Sequence, residues 1–173
     1  MTEKQEQILL AAAQLFGKEG YHATSTNKVA KTAGVSEGLI FRHYGNKEGL
    51  LQAVIDDGKE RFKSMFADIV METSPKEVIK KCLLLPFEVK ESEYEFWRLQ
   101  FKLKWEFEQY DNTKMEPLQN ALTHAFSKLS YKAPEMEAEL LLQILDGLAS
   151  AILKGNLSDR AAMKTFLKNK YDL

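Results

Sequence analysis

Apolar positions along the chain recur at spacings of three and four, with alternation in only one segment, and that period predicts helices from end to end. In "EKQEQILLAAAQLFGKEG" Ile8, Leu9, Ala12, Leu15 and Phe16 fall at helical spacing, with Thr2 a ready N-cap and Gly20 a stop. A short second helix turns Val29, Ala30 and Ala33 inward after a cap from Thr24, Ser25 or Thr26. Gly34 then supplies the left-handed residue that ends it. Ser36 caps a third helix and Asn46 a fourth, whose stripe of Leu50, Leu51, Val54, Ile55, Phe62, Phe66 and Ile69 runs to about Val70. At 1.5 Å per residue that helix is roughly 35 Å long, enough to connect two domains.

Beyond it, "SPKE" at Ser74 to Glu77 reads as a capping box with proline at the first helical position. The helix it starts carries Val78, Ile79, Cys82 and Leu83 and meets Pro86, which predicts a kink or a stop beside Phe87. In "EFWRLQFKLKWEFE" the pattern rules disagree. Trp97, Leu99, Phe101, Leu103, Trp105 and Phe107 alternate with polar residues, as in a half-buried strand, but no partner strand is evident and a lone strand leaves its backbone groups unpaired. Plotted as a helix, the segment has two opposite stripes: Tyr94, Trp97, Phe101 and Trp105 on one, Phe96, Leu99, Leu103, Phe107 and Tyr110 on the other. A helix buried on both sides is the expectation. Leu118, Leu122, Ala125, Phe126 and Leu129 mark the next helix, Pro134 opens a long apolar one closed by Gly155-Asn156, and Ser158 caps the last. The fold class is therefore all-α. Residues 1–47 form an N-terminal three-helix domain, a long helix of about 46–70 links it onward, and 48–173 form a second helical domain.

Composition narrows the class further. The 173 residues are 45% hydrophobic, enough for an ordered globular core, and the net charge is −1. Residues 1–47 hold six Lys/Arg against four Asp/Glu, a basic surplus too small to argue nucleic-acid binding by itself. A single cysteine, Cys82, cannot form an intramolecular disulfide and lies in the apolar run "CLLLPF", which suits a buried thiol in a reducing cytoplasm. Neither a signal peptide nor a membrane-spanning run is read. Nothing asks for catalysis: His22, His43 and His124 are scattered, Glu19-x-x-His22 is interrupted by Gly20, and no phosphate loop, nucleotide fingerprint or nucleophile motif occurs. No enzyme, cofactor or metal site is expected.

The chemistry lies instead in "TSTNKVAKTAGVSEGLIFRHYGNKEGLL", a helix, a glycine turn and a helix. Small Ala30 permits close approach, Gly34 makes the turn, and Val35 with Ile40 plugs the angle, as a helix-turn-helix requires. The third helix presents Glu37, Gly38, Leu39, Phe41 and Arg42 outward while Ile40 and Tyr44 pack inward. A carboxylate accepts from a cytosine amine, a glycine lets backbone approach, and a leucine touches a thymine methyl. The stretch "LFGKEGYHATSTNKVAKTAGVSEGLIFRHYGNKEGLL", with its Gly-Tyr-x-x-Thr and its aromatic-x-His-aromatic-x-x-Lys, resembles the N-terminal DNA-binding domain of the TetR family of bacterial transcriptional regulators, over about the first quarter of the chain. The resemblance implies that Thr26, His43 and Lys47 contact phosphates, with Ser36 at the start of the recognition helix. Where the family often has two tyrosines before the histidine, this chain has Phe41, without a hydroxyl, and Arg42, a charge-assisted donor.

Two further expectations concern the second domain. One aromatic stripe, taken as Phe87, Tyr94, Trp97, Phe101 and Trp105, lines a pocket for a small apolar or aromatic effector, or is simply core. Leu141, Ile144, Leu145, Leu148, Ala151 and Ile152, with Phe166 on the last helix, exceed one narrow stripe and suggest a partner, or each is internal core alone. In the resembled family the last two helices pair with a second subunit, and a two-fold dimer suits a palindromic operator on double-stranded DNA. The competing class is a helical adaptor that binds another protein, its N-terminal unit merely structural. Such a protein has no need for Thr26, Arg42, His43 and Lys47 to lie together.

Overall fold

A computed structural model describes residues 1–106 and 115–173, the side chains of 104–106 excepted. All regular structure among the described residues is helical. The chain divides into two compact units, the first comprising residues 1–61 and the segment from Glu91 to the described end of the sixth helix, the second residues 62–90 and 115–173.

In the first unit, α1 (Glu3–Glu19) opens on a capping box: the Gln5 amide donates to Thr2 Oγ1 (3.4 Å) and the Thr2 amide to Gln5 Oε1 (2.8 Å). Its far end is tied by buried Thr24, whose Oγ1 lies 2.9 Å from the Gly20 carbonyl and 3.3 Å from that of Leu15. Of the three candidate caps for α2 (Thr26–Thr32), Ser25 acts, accepting from the Lys28 amide at 3.2 Å. Gly34, at φ 67°, turns the chain into α3 (Glu37–Tyr44). Asn46 then caps α4 (Lys47–Val70), accepting from the Gly49 amide at 2.7 Å. Gly49 passes so close to the Tyr44 carbonyl that a Cβ there would overlap it.

The alternating segment is helical, as α6 (Tyr94–Glu106) following a 3-10 turn at Glu91–Glu93. Intrahelical bonding satisfies the backbone groups that a lone strand would leave open. Phe96, Trp97, Leu99 and Leu103 are buried. Two glycines bring α6 in: Leu99 packs over Gly17 of α1, and the Gln100 amide fills the space a side chain at Gly58 of α4 would take, with Nε2 donating to the Val54 carbonyl (3.3 Å). Phe107 and Tyr110 lie outside the described residues. α6 and the first part of α4 group with the N-terminal helices, where Gly17 and Gly58 leave room for α6.

The second unit contains the end of α4, α5 (Pro75–Glu88), α7 (Glu116–Lys128), α8 (Pro134–Lys154) and α9 (Arg160–Lys170). Phe66, Ile69, Ile79, Leu83, Leu118, Leu122, Phe126 and Leu141 form its core. Cys82 is buried among them, and desolvation pushes its thiol up to about 12, so it is an inert apolar neighbour. Three local expectations are adjusted. Ser74 makes no side-chain cap, and its amide, which a capping box would give to Glu77, donates to Glu72 (3.0 Å), as does that of Thr73 (2.9 Å). Pro86 does not stop α5 at once: it lies in the last turn, and the helix ends two residues on, at Glu88. Asp159, not Ser158, caps α9, accepting from the Ala162 amide at 2.8 Å.

Candidate nucleic-acid interface

The third helix is anchored by the two positions that the pattern turned inward. Ile40 is fully buried, and the Tyr44 hydroxyl donates to the Gln5 carbonyl at 3.3 Å. With those fixed, Gly38, Phe41, Arg42 and His43 face solvent and Glu37 and Leu39 are half-buried. Phe41 is 45% exposed, a large apolar ring that folding leaves in water. Ser36 occupies the N-cap position with extended backbone, but its side chain makes no capping bond.

Across the turn, the start of α2 meets the start of α3. Thr26 Oγ1 donates to Glu37 Oε1 at 2.6 Å and Asn27 Nδ2 to Glu37 Oε2 at 3.2 Å. These two bonds, Thr26 first, hold the Glu37 carboxyl below the usual carboxylate range. The proton of the Thr26 hydroxyl is thereby committed within the protein. Asn27 was absent from the sequence-based set, because a pairing ten residues apart across a turn follows from no local rule.

Lys47 is held by the Tyr21-His22 turn. Its Nζ stands 4.4 Å from the Tyr21 ring centroid and donates to the His22 carbonyl at 3.3 Å. Tyr21 in turn sets its edge against Phe16, centroids 5.3 Å apart. This gives the Gly-Tyr pair a physical task, to seat the lysine that opens α4. His43 Nδ1 lies 3.4 Å from Gln5 Nε2, so α1 orients the imidazole as well. The arrangement thus joins Thr26 directly to Glu37 and seats His43 and Lys47 separately on α1 and on the turn after it.

Residues 8–54 match the family model of bacterial regulatory proteins, tetR family. The chain carries the helix-turn-helix domain of the TetR family. The HTH-type transcriptional regulator YvkB of Bacillus subtilis is 47% identical over 55 residues, 32% of this chain and 29% of YvkB. The regulator YerO of the same organism is 34% identical over 92 residues, 51% of this chain and 32% of its own length. The chain thus spans about a third of these curated relatives. Among solved structures, a TetR-like transcriptional regulator from Rhodococcus sp. RHA1 superposes with a TM-score of 0.79 at 21% identity, covering 97% of this chain and 93% of that one. The regulator FadR from Bacillus subtilis, solved in complex with stearoyl-CoA, superposes at 0.67 with 20% identity, covering 96% of each. At such identities these structures establish a common fold: a TetR helix-turn-helix followed by a helical domain.

The other sequence-based candidates are placed less simply. Phe87 belongs to the second unit and packs on its core, whereas Tyr94, Trp97 and Phe101 belong to the first, where Trp97 is buried. The Trp105 side chain lies outside those described. A groove of about 390 Å³ in the second unit runs between Val70, Glu72, Pro75, Pro117, Asn120 and His124, and none of the aromatic candidates lines it. On α8, Leu141, Leu145, Leu148 and Ile152 are buried within their own chain. Ile144 and Ala151 are half-buried. On α8 and α9 the large apolar side chains left in water are Met136 (64% exposed), Leu140 (50%) and Phe166 (61%). Leu140 was missed because it lies one position before the chosen stripe, and Met136 because it lies a further turn toward the start of the helix. No described helix is long and apolar enough to cross a membrane, and no three metal-binding side chains cluster among the described residues.

Proposed function

We propose that the chain is a cytoplasmic, homodimeric, DNA-binding transcriptional regulator, a repressor that holds a palindromic operator until a small apolar or aromatic effector releases it. The observation that carries the reading is the outward face of α3, where Gly38, Phe41 and Arg42 are exposed on a helix whose inward residues are fully engaged. An apolar ring beside an arginine is costly surface for a protein that leaves it idle, and is suited to thymine methyls, guanine edges and phosphates. Lys47, held by Tyr21, and His43, oriented by Gln5, supply positions for phosphate contact.

Dimerisation is supported by Met136 and Leu140 on α8 and Phe166 on α9, apolar side chains without cover in one chain. Release is assigned to α4, a continuous helix shared by both units. A ligand that favours a DNA-incompatible arrangement of the second unit would act through α4 on the spacing of two recognition helices, away from a helical repeat of roughly 34 Å.

Selection of random duplexes by the purified protein at physiological salt tests the reading. A two-fold symmetric motif is expected, and retention without any motif would favour a protein-binding adaptor. Arg42→Ala should weaken binding to all duplexes and reduce the slope of log affinity against log salt by about one. An unchanged slope would remove Arg42 from the phosphate contacts.

A further inference from the structure

Glu37 stands at the first turn of α3, the end of a recognition helix that enters the major groove. A carboxylate is an unusual group to bring toward phosphates, and a solvated one would sample many rotamers. Here it is held from the neighbouring helix by Thr26 at 2.6 Å and Asn27 at 3.2 Å, one donor on each oxygen. An ionised carboxylate has about four acceptor positions, so two remain open. Its rotamer entropy is given up on folding, before any DNA arrives.

We infer that Glu37 is a specificity-determining residue that reads cytosine in each half-site, and that Thr26 and Asn27 are the positioning residues that aim it. The inference rests on the reading of α3 as the helix that enters DNA. Cytosine follows from the donor and acceptor pattern of the major groove. Its N4 amine is a donor with no acceptor beside it on the same base, whereas adenine sets N7 next to its amine and guanine and thymine offer acceptors that repel a carboxylate. Thr26 changes role accordingly. Its hydroxyl proton points to Glu37, so removing the hydroxyl relaxes base preference at one position, where loss of a phosphate contact would weaken all sequences alike. The low-lying carboxyl of Glu37 agrees with an acceptor that stays ionised beside DNA.

The test repeats the duplex selection with wild type, Glu37→Gln, Thr26→Val and Thr26→Ser, each first checked for an unchanged helical circular dichroism spectrum. Wild type should retain a motif with cytosine at one position per half-site. Glu37→Gln should lose that preference by about tenfold, toward adenine, with the rest of the motif intact. Thr26→Val should relax the same position and Thr26→Ser restore it, since serine keeps the donor. An unaltered base preference in Glu37→Gln would overturn the inference, as would a uniform loss of affinity in Thr26→Val with the motif intact. A wild-type protein that retains no motif would overturn the regulator reading and this inference with it, a result distinct from the other two.

Discussion

The two units hold together in different ways. In the first, polar side chains are seated one by one: Ser25 on an amide, Thr26 and Asn27 on Glu37, Lys47 on a tyrosine face and a carbonyl. In the second, large apolar side chains pack into one core around Phe126, whose ring meets Tyr131 at 4.9 Å and Tyr171 at 6.2 Å. The difference bears on what each can do. Individually positioned groups at a surface can read a pattern of donors and acceptors, while a core assembled by volume complementarity chiefly sets shape and stability.

Substitutions can break or sharpen that contrast. The largest effect is expected from Phe126→Ala, which empties the centre of the second core and should cost about 4 kcal/mol in denaturant unfolding. A loss below about 1 kcal/mol would mean that this core is loosely packed. Next is Gly49→Ala in the first unit. Helix propensity favours alanine by about 1 kcal/mol, but the Cβ would meet the Tyr44 carbonyl, and a net loss of about 2 kcal/mol is expected. A rise in stability would show that the close approach of α3 and α4 can relax.

Smaller effects come from the ends of helices. Asp159→Ala should cost about 1 kcal/mol and Ser158→Ala only a few tenths, measured side by side, because only the first removes the bond to the Ala162 amide. Equal losses would return the cap to Ser158. Last is Glu72, whose carboxyl is held at about 2 against an ordinary 4.5 by the Lys81 ammonium and the Ser74 and Thr73 amides. A lowered carboxyl stabilises fully above the ordinary value and loses that contribution as pH falls toward about 2. Glu72→Gln should therefore destabilise the protein modestly at pH 7 and flatten its urea midpoint between pH 4.5 and 2. A midpoint that falls as steeply in the variant as in wild type would remove Glu72 from the acid response.

Much of the first unit was legible because its structure is local. Thr2 with Gln5, Gly34 with its positive φ, and Asn46 with Gly49 each act within three or four residues, the range over which capping and turn rules operate. Ile40 inward and Phe41 outward follow from one helical period. The same rules misjudged Ser74, whose side chain makes no capping bond, and Ser158, because Asp159 takes the N-cap position itself. On α8 they stop short, since 3.6-residue periodicity marks a face as apolar without saying which other helix covers it.

What the sequence determined by itself is the set of helices, the glycine turn between α2 and α3, and the side chains those helices can offer. Tertiary structure alone decided that Glu37 is gripped from α2, eleven residues away, that α6 joins α1 through contacts spanning 85 residues, and that Leu141 is core while Leu140 stays in water. The physical reason is one of range. Propensity, capping and periodicity act within a turn or two of chain, whereas burial and long-range pairing depend on which surfaces the folded helices bring together.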